Sequence, residues 1–263
     1  MALSTRTPTA AIRGLAGLAV IALLSGCSGT TAATTSPTTS ATSATTSTTS
    51  TSPTTAAGVD VESFLASLSA ANLTMKTFTT STVITTRASG KETKITSSGK
   101  VDQTDPAKRK MQMESTYSGQ ESAAIIIGKD YYSKIAGQWF KLSEKQMKQT
   151  GGQAPNDMNT WLQGARTMIE KVELVGDETI KGVPTKRYRV TMDGAALAKL
   201  TPSGGIDVDT FIYDMWLGND NLVRQYALDL TEGSTEMSLV STMDDFNEPV
   251  NIKAPAKYME MPG

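Results

Sequence analysis

One residue in this sequence is placed for a covalent reaction: Cys27, the only cysteine among the 263 residues. It directly follows Leu24, Ser25 and Gly26, at the end of a short apolar run. The small side chains of Ser25 and Gly26 fit the cleft of a peptidase, and a thiolate is the group that can accept a lipid as a thioether. The Leu-Ser-Gly-Cys run resembles the bacterial lipobox, and the resemblance implies cleavage before Cys27 and attachment of diacylglycerol to its sulfur.

The residues before Cys27 have the order of a secretory signal peptide. Arg6 and Arg13 give a positive n-region, and an apolar h-region runs from Leu15 to Leu24. That run is too short to cross a bilayer. Its Leu-Ser-Gly-Cys ending resembles the bacterial lipobox, so we expect a protein held by lipid on the outer, extracytoplasmic face of the cell membrane. The alternative is a soluble secreted protein with an incidental cysteine.

Composition divides the rest of the chain into a stalk and a domain. Residues 1–26 are the expected signal peptide, and residues 27–57 hold the lipidated cysteine and a flexible stalk rich in Thr and Ser. Such a segment buries too little apolar surface to fold, and as a random coil of about 30 residues it reaches roughly 30 Å. Residues 58–263 are long enough for one domain with a core of its own.

The absence of histidine from the sequence excludes most hydrolytic chemistry. Without imidazole there is neither a Ser-His nor a Cys-His nucleophilic pair, and no imidazole metal ligand. The net charge of -1 gives no reason to expect a nucleic-acid partner. With Cys27 bound to lipid no disulfide can form, so the fold depends on its apolar core. We expect no catalytic residues, no metal and no cofactor.

Two short motifs could carry chemistry, and each has a plainer interpretation. Ser97 and Lys100 have the spacing of a Ser-x-x-Lys nucleophile, but they lie in a strand-like stretch and the companion motifs of such enzymes are missing. Asp207 and Asp209 could bind calcium, but the glycine and glutamate of an EF-hand loop do not follow them. A strand and a solvated turn explain these residues better.

Hydrophobic periodicity predicts a helix followed by a series of strands. Asp60 is the expected cap of a helix over about residues 60–70, with Phe64, Leu65 and Leu68 at helical spacing. Short alternating segments separated by turn residues then predict an antiparallel meander. Its expected strands are 77–86, 91–103, 110–117, 122–127, 131–135 and 139–142.

A second helix and further strands complete the pattern. After Pro155 an apolar stripe at helical spacing comprises Met158, Trp161, Leu162, Ala165, Met168 and Ile169. Strands resume near residue 172, with turns expected at Gly176–Asp177 and at residues 182–184, and a short helix is expected at residues 195–200. The final strands are 211–217, 222–230 and 237–240. The order predicts an α+β domain in which one large sheet wraps around a few helices.

Methionine is the residue type most indicative of a binding function. Seven lie on predicted inward faces: Met111, Met113, Met158, Met168, Met192, Met215 and Met237. Unbranched thioethers adapt to flexible apolar guests, whereas β-branched residues specify a rigid core. Each methionine alone is explained by ordinary core packing, but the set favours a cavity.

Several segments, in their order and spacing, resemble the LolA-like bacterial lipoproteins, and in particular the actinobacterial LppX/LprG family. They are Gly128–Tyr132, Gly137–Leu142, Val175–Glu178, Gly182–Tyr188, Met215–Asp220 and Phe246–Ile252, followed by Pro255. The resemblance covers about residues 58–263. It implies a half-barrel of antiparallel strands, closed by helices, around an apolar cavity that holds lipid or glycolipid chains. The long Thr/Ser stalk departs from the family pattern.

The resemblance also implies the binding partners. Together with the residues on the inward faces of the predicted strands and helices, it implies which side chains line the cavity. The expected partners are a lipid or glycolipid ligand, the membrane through the N-terminal lipid anchor, and an envelope lipid exporter, for a protein that acts as a monomer. The expected lining consists of apolar inward positions: Val83, Met111, Met113, Ile126, Met158, Trp161, Leu162, Met168, Val190, Met192, Leu197, Phe211, Tyr213, Met215, Leu228, Met237 and Leu239.

Three classes of function remain after these observations. The first is a lipid-anchored binding protein that shields acyl chains during transfer or display in the cell envelope. The second is a surface-anchored sensor or scaffold that binds a protein partner without carrying lipid. The third, an enzyme, has the least support because the usual proton-transfer residue is absent.

Overall fold

The structure, a computed structural model, describes residues 57–149, 166–194 and 210–261. Within these ranges the chain forms two α-helices, α1 (Val61–Thr74) and α2 (Glu144–Gln149), and one turn of 3-10 helix at Pro106–Lys108. The strands of the same ranges are β1 (Ala57–Val59), β2 (Thr77–Ala88), β3 (Lys91–Asp102), β4 (Lys110–Tyr117), β5 (Gln120–Ile127), β6 (Asp130–Ile135), β7 (Gln138–Leu142), β8 (Ile169–Ile180), β9 (Val183–Asp193), β10 (Thr210–Gly218), β11 (Val223–Glu232), β12 (Thr235–Asp244) and β13 (Met259–Glu260).

All of these strands belong to one open sheet. Their order is β1-β8-β9-β10-β11-β12-β2-β3-β4-β5-β6-β7-β13, so most neighbours in space are also neighbours in sequence. Every pairing is antiparallel except that of β13 with β7. The sheet is curved, and helix α1 packs on one of its faces. We call this face the concave face and the opposite one the convex face. The expected α+β architecture, a large antiparallel half-barrel with few helices, is confirmed.

Tight hairpins connect the long strands. Between β2 and β3, Ser89 and Gly90 have φ angles of 51° and 75°, and between β8 and β9, Lys181 and Gly182 have φ angles of 47° and 83°. Two consecutive left-handed residues are the geometry of a type I′ turn, whose twist matches that of the strands it joins. These turns fix the register of the hairpins on either side.

The structure corrects two predicted boundaries in the middle of the chain. The turn expected at Gly176–Asp177 is a β-bulge inside β8, where the register shifts between Leu174 and Gly176. The helix expected to include Met168 and Ile169 does not extend that far, because Met168 lies in a turn and Ile169 begins β8. A glycine such as Gly176 occurs in bulged strands as well as in turns. An apolar pair such as Met168 and Ile169 is compatible with a strand as well as with a helix.

Helix α1 begins where the sequence predicts. The carboxylate of Asp60 accepts a hydrogen bond of 2.9 Å from the backbone N–H of Ser63, which caps the first turn. Phe64, Leu65 and Leu68 lie on one side of the helix and are buried against the concave face. The ring of Phe64 packs at 5.1 Å from that of Tyr188 on β9. The helix is therefore held by its apolar side.

Two apolar clusters occupy the concave face. The first cluster joins α1 to β8–β12 and contains Phe64, Leu65, Leu68, Met168, Val172, Val190, Met192, Phe211, Tyr213, Met215, Leu217, Leu228 and Leu239. The second cluster lies on β2–β7 and contains Ala71, Met75, Phe78, Val101, Met111, Met113, Ile126, Tyr131, Leu142, Met147 and Leu222. Residues of α1 and its C-terminal cap contribute to both clusters, so the helix spans the boundary between them.

The C-terminal segment covers part of the convex face. Ile252 is buried with Ile125 of β5 and Tyr132 of β6, which point away from the second cluster. The rings of Tyr132 and Tyr258 meet edge to face at 5.1 Å. Strand β13 then pairs with the edge strand β7, and Met261 packs against the second cluster.

A charged network on the convex face holds β8, β9 and β10 together. Asp214 of β10 accepts hydrogen bonds from Arg187 and from Arg189, the latter at 2.9 and 3.0 Å. Arg187 also donates to Glu178 at 3.0 Å and stacks over Trp216, whose indole N–H donates to Glu178 at 2.7 Å. Burial acts to raise the pKa of Asp214, but the two arginines outweigh it and the pKa is lowered.

We predict that Asp214→Asn destabilises the protein by about 2 kcal/mol at pH 7, because it removes charge-assisted hydrogen bonds from two arginines. Because the pKa of Asp214 is lower in the folded protein than in the unfolded chain, its carboxylate stabilises the fold at pH values above the unfolded-state pKa. This stabilisation is lost as the pH falls through the folded-state pKa. The difference between the variant and the parent should therefore shrink as the pH falls below 3.8, the ordinary pKa of an aspartate. Urea denaturation at several pH values measures it.

Asp229→Asn is the matched control for this experiment. Asp229 is exposed on the same face, on neighbouring strand β11, and we expect its replacement to change stability by less than about 0.5 kcal/mol. A loss for Asp214→Asn that stays the same from pH 7 down to the lowest pH at which the parent remains folded would show that the network does not act through the carboxylate charge.

Candidate functional site

The concave face brings together most of the residues expected to line a cavity. The first cluster contains eight of them: Met168, Val190, Met192, Phe211, Tyr213, Met215, Leu228 and Leu239. The second cluster contains Met111, Met113 and Ile126. Met237 is half-buried on the same face, opposite Leu230 of β11. The remaining expected residues Met158, Trp161, Leu162 and Leu197, together with Cys27, lie outside the described residues.

Val83 lies on the convex face, so its expected inward placement is wrong. On β2 the buried Phe78 and the cluster residue Ile84 share one face, and Val83 therefore faces the other way, opposite Val240. Ile84 takes the position we assigned to Val83, and Ile95 of β3 pairs directly with it. Because β2 consists mostly of threonine, its alternation of apolar and polar residues is hard to recognise. Ile84 is an even number of residues from Phe78 and therefore shares its face, which is the signal that could have identified Ile84.

The concave face has a closed part and a more open part. Under α1, Val172, Val190 and Met192 are at most 1% exposed, so they belong to a solid core. Farther along the sheet, Ile84, Ile95 and Met237 are only half-buried. We take the region around these three residues, on β2, β3 and β12 toward the β2–β3 turn, as the candidate site.

The candidate site is uncharged. From Phe78 to Thr86 on β2, and at the facing concave positions of β3 and β12, every side chain is apolar or a neutral hydroxyl, or is glycine. Burial raises the pKa of Tyr213 far above its ordinary value. It also raises the pKa of Tyr226, which a hydrogen bond with Ser241 opposes only in part. Both phenols therefore stay neutral, and the face suits an uncharged or apolar ligand.

Arg224 is a cationic side chain near the second cluster, and it is already bound to other side chains of the protein. Arg224 donates to Asp220 at 2.5 Å and its guanidinium lies 4.4 Å from the centre of the Phe246 ring. A Cβ on Gly218 would lie 2.9 Å from the Nε atom of Arg224. This arginine is packed between glycine and an aromatic ring at the end of the sheet, where it closes the β10–β11 turn.

A pocket of about 220 Å³ lies elsewhere, between the β8–β9 hairpin and Asn219. Its carboxylates are already paired: Asp177 accepts from Lys186 at 3.0 Å, and Glu178 from Arg187 and Trp216. Within the described ranges, no group of three His, Cys, Asp or Glu side chains is placed to hold a metal ion. The pocket is a gap beside a hairpin and carries no chemistry of its own.

The Ser-x-x-Lys spacing does not form a catalytic pair. Ser97 is buried on the concave face and donates to Ser115 at 3.1 Å. Lys100 is an odd number of residues away on the same strand, so it points to the convex face, where it is exposed. The two side chains lie on opposite sides of the sheet.

Solved structures share this architecture. LprF from Mycobacterium bovis aligns with a TM-score of 0.52 and 12% identity over 75% of this chain and 97% of its own. The chain has the LprF fold. The Mycobacterium tuberculosis lipoprotein LppX aligns with a TM-score of 0.49 and 17% identity over 73% of this chain and 99% of its own. No protein-family model and no curated protein sequence matches this chain significantly.

The LprF fold agrees with the family that the sequence resembles. The expected half-barrel, a large curved antiparallel sheet with few helices, is the architecture observed. At this level of identity the likeness establishes the fold alone. Among the helices described in this fold, none has the length and apolar character needed to cross a bilayer.

We predict that the closed and open parts of the concave face respond differently to truncation. Met192→Ala should destabilise the protein by about 3 kcal/mol, because it leaves a cavity in a core position that is 1% exposed. Met237→Ala, at a half-buried position, should cost less than about 1 kcal/mol. Urea denaturation of both variants measures the difference, and equal losses would mean that the region around Met237 is packed as core.

Proposed function

We propose that the protein is a lipid-anchored extracytoplasmic binding protein that holds lipid or glycolipid chains on its concave face and shields them from water during transfer or display in the cell envelope. The observation that carries this proposal is the uncharged, half-buried surface around Ile84, Ile95 and Met237, which lies beside the part of the sheet that α1 fills. Such a surface is costly to expose and is suited to an apolar guest.

The energetics are sufficient for lipid binding. Burying each methylene contributes about 0.8 kcal/mol, so a ten-carbon stretch would contribute roughly 8 kcal/mol before the cost of ordering the chain. Met237 lies in the site, and Met113 and Met215 lie on the same face of the sheet, on β4 and β10. Their side chains can adjust to acyl chains of different shape, which a wall of valine and isoleucine would not allow.

The location follows from the N-terminal residues. The signal sequence and the lipobox at Leu24–Cys27 support export and attachment to the outer face of the membrane. The Thr/Ser-rich stalk, with a reach of roughly 30 Å, is long enough to hold the domain clear of the lipid surface. A carrier in this position could receive lipid from the membrane or from an envelope lipid exporter.

We predict that Ile95→Glu abolishes lipid binding, because it places a carboxylate in the middle of the uncharged site. The measurement is native mass spectrometry of protein purified gently from its own host, in which the parent should carry co-purified lipid and the variant should not. The matched control is Thr96→Glu, at the next residue on the exposed convex side of β3, which should retain the lipid.

The thermal midpoint of each variant separates loss of binding from loss of folding. If Ile95→Glu does not fold, the milder Ile84→Thr variant should still reduce lipid occupancy relative to Val83→Thr, its convex neighbour. The proposal is contradicted if the parent protein carries no lipid and binds none when lipid is added. Capture of a specific protein partner by that lipid-free chain would favour the sensor or scaffold.

We predict that the lipid anchor depends on Cys27 alone. Cells fed an alkyne analogue of palmitate should label the parent protein and the Ser28→Ala variant equally, whereas Cys27→Ser should incorporate no label, because a hydroxyl does not form the thioether. In-gel fluorescence after coupling to a dye measures the label. An unlabelled parent protein would contradict the lipobox interpretation and leave a soluble secreted protein.

A further inference from the structure

The strands of the open sheet turn at two opposite ends. One end carries the β8–β9, β10–β11 and β5–β6 turns, together with the connections from α1 to β2 and from β3 to β4. We call it the β8–β9 end. The other end carries the β2–β3, β4–β5, β6–β7 and β11–β12 turns, and we call it the β2–β3 end.

Strand β1 shows from which end the N-terminal stalk approaches the domain. It is antiparallel to β8, with Ala57 opposite Leu174 and Val59 opposite Val172. Toward its N-terminus, β1 therefore points along the rest of β8 to Ile180, at the β8–β9 end. A chain that continues in this direction reaches that end in about six residues, or about 20 Å at roughly 3.3 Å per residue. The path from the domain back to Cys27 thus starts toward the β8–β9 end.

Leu73 and Val183 are exposed apolar side chains at the same end. Leu73, in the last turn of α1, is 73% exposed, and Val183, at the start of β9, is 37% exposed. Leu73 lies on the side of α1 opposite the buried Phe64 and Leu68, so it contributes nothing to the first cluster. Single exposed apolar residues are common on proteins. What distinguishes these two is their shared position at the end toward which the anchor leads.

Backbone hydrogen bonds join the loop after Leu73 to its neighbours. The N–H of Gln103 donates to the carbonyl of Lys76 at 2.8 Å, and the N–H of Asn247 donates to the carbonyl of Thr77 at 2.9 Å. The side-chain oxygen of Asn247 accepts in turn from the N–H of Lys76 at 2.7 Å. The connections α1–β2 and β3–β4 and the chain after β12 therefore form one continuous rim.

The tip of the β8–β9 hairpin is attached to the same rim. The ammonium group of Lys181 donates to the carboxylate of Asp244 at 2.6 Å and to the hydroxyl of Thr242 at 3.3 Å. Asp244 is the last residue of β12 and lies three residues before Asn247. Val183, two residues after Lys181, is thereby held at the rim to which Leu73 belongs.

Lysines lie along the rim beside the apolar side chains. Lys76, Lys108 and Lys129 are exposed there, and Asp105 and Asp245 keep the charge of this end mixed. The rim is therefore not a strongly basic surface. Lysines beside exposed apolar side chains suit a lipid headgroup region, where the ammonium groups reach the phosphates while the apolar side chains enter between the lipids.

We infer that the β8–β9 end docks on the outer leaflet of the membrane that carries the anchor, with Leu73 and Val183 entering the headgroup region. This inference rests on the lipid anchor of the proposed function and adds a contact surface and an orientation to it. Weak docking is sufficient, because a flexible tether gives the surface an effective concentration of about millimolar. The roughly 30 Å reach of the stalk allows the rim to touch the membrane.

Docking at this end turns the candidate site away from the anchoring membrane. Ile84, Ile95 and Met237 lie toward the β2–β3 turn, which is at the opposite end of the sheet. A lipid held there would be presented to an acceptor beyond the anchoring membrane instead of to that membrane itself.

Fluorescent probes on introduced cysteines test this orientation. Leu73→Cys and Val183→Cys, each labelled with a nitrobenzoxadiazole dye, are placed through the native lipid anchor in vesicles of phosphatidylglycerol and phosphatidylethanolamine. The lipid occupies the sulfur of Cys27, so the dye reacts with the introduced cysteine. Both probes should lose fluorescence when the vesicles contain a nitroxide-labelled phospholipid. The matched control is Tyr117→Cys at the β2–β3 end, where the side chain is 49% exposed and the probe should keep its fluorescence.

A second experiment asks whether the apolar side chains hold the rim at the membrane. The probe is placed at Lys129→Cys, and its quenching should fall in the variant Leu73→Asp/Val183→Asp but not in Tyr117→Asp. All the replaced side chains are exposed, so the thermal midpoints should stay close to that of the parent.

The outcomes separate this inference from the proposed function. Equal quenching at Leu73, Val183 and Tyr117, stronger quenching at Tyr117, or quenching at none of them overturns the inference alone. Unchanged quenching at Lys129 in the double aspartate variant overturns it as well. Protein that carries no lipid anchor, as measured by palmitate labelling, contradicts the proposed function and the inference together.

Discussion

The width of the sheet is the constraint on which the rest of this structure depends. Strands lie about 4.8 Å apart, so a sheet of thirteen measures roughly 60 Å across them, whereas a helix is about 10 Å wide. Helix α1 can therefore cover only part of the concave face, and it packs mainly in the first cluster, which joins it to β8–β12. Ile84, Ile95 and Met237 remain half-buried on β2, β3 and β12, and this apolar surface is what makes a lipid guest physically reasonable.

The register of the sheet turns this surface into levels of different chemistry. Because each strand pairs with the next without a slip from β12 to β7, residues at one level form a continuous row across many strands. On β12, β2 and β3 one level is aliphatic (Leu239, Ile84 and Ile95), and the next carries hydroxyls (Ser241, Thr82 and Ser97). The third level contains Met243, Thr80 and Gly99. The convex face is organised differently, with the Asp214 network at one end and the apolar C-terminal segment at the other. The convex face thus holds the interactions that stabilise the shape of the sheet, and the concave face is the one to which we assign binding in the proposed function.

The sequence predicts best where polarity alternates strongly along a strand. Tyr188, Val190 and Met192 alternate with charged or polar residues, and their shared face is confirmed by the first cluster. On β2 nearly every residue is Thr, Ser or a β-branched apolar residue, so the pattern does not distinguish the two faces, and Val83 was placed on the wrong one. The bulge at Gly176 shows a similar ambiguity, because a glycine inside a strand has the local signature of a turn.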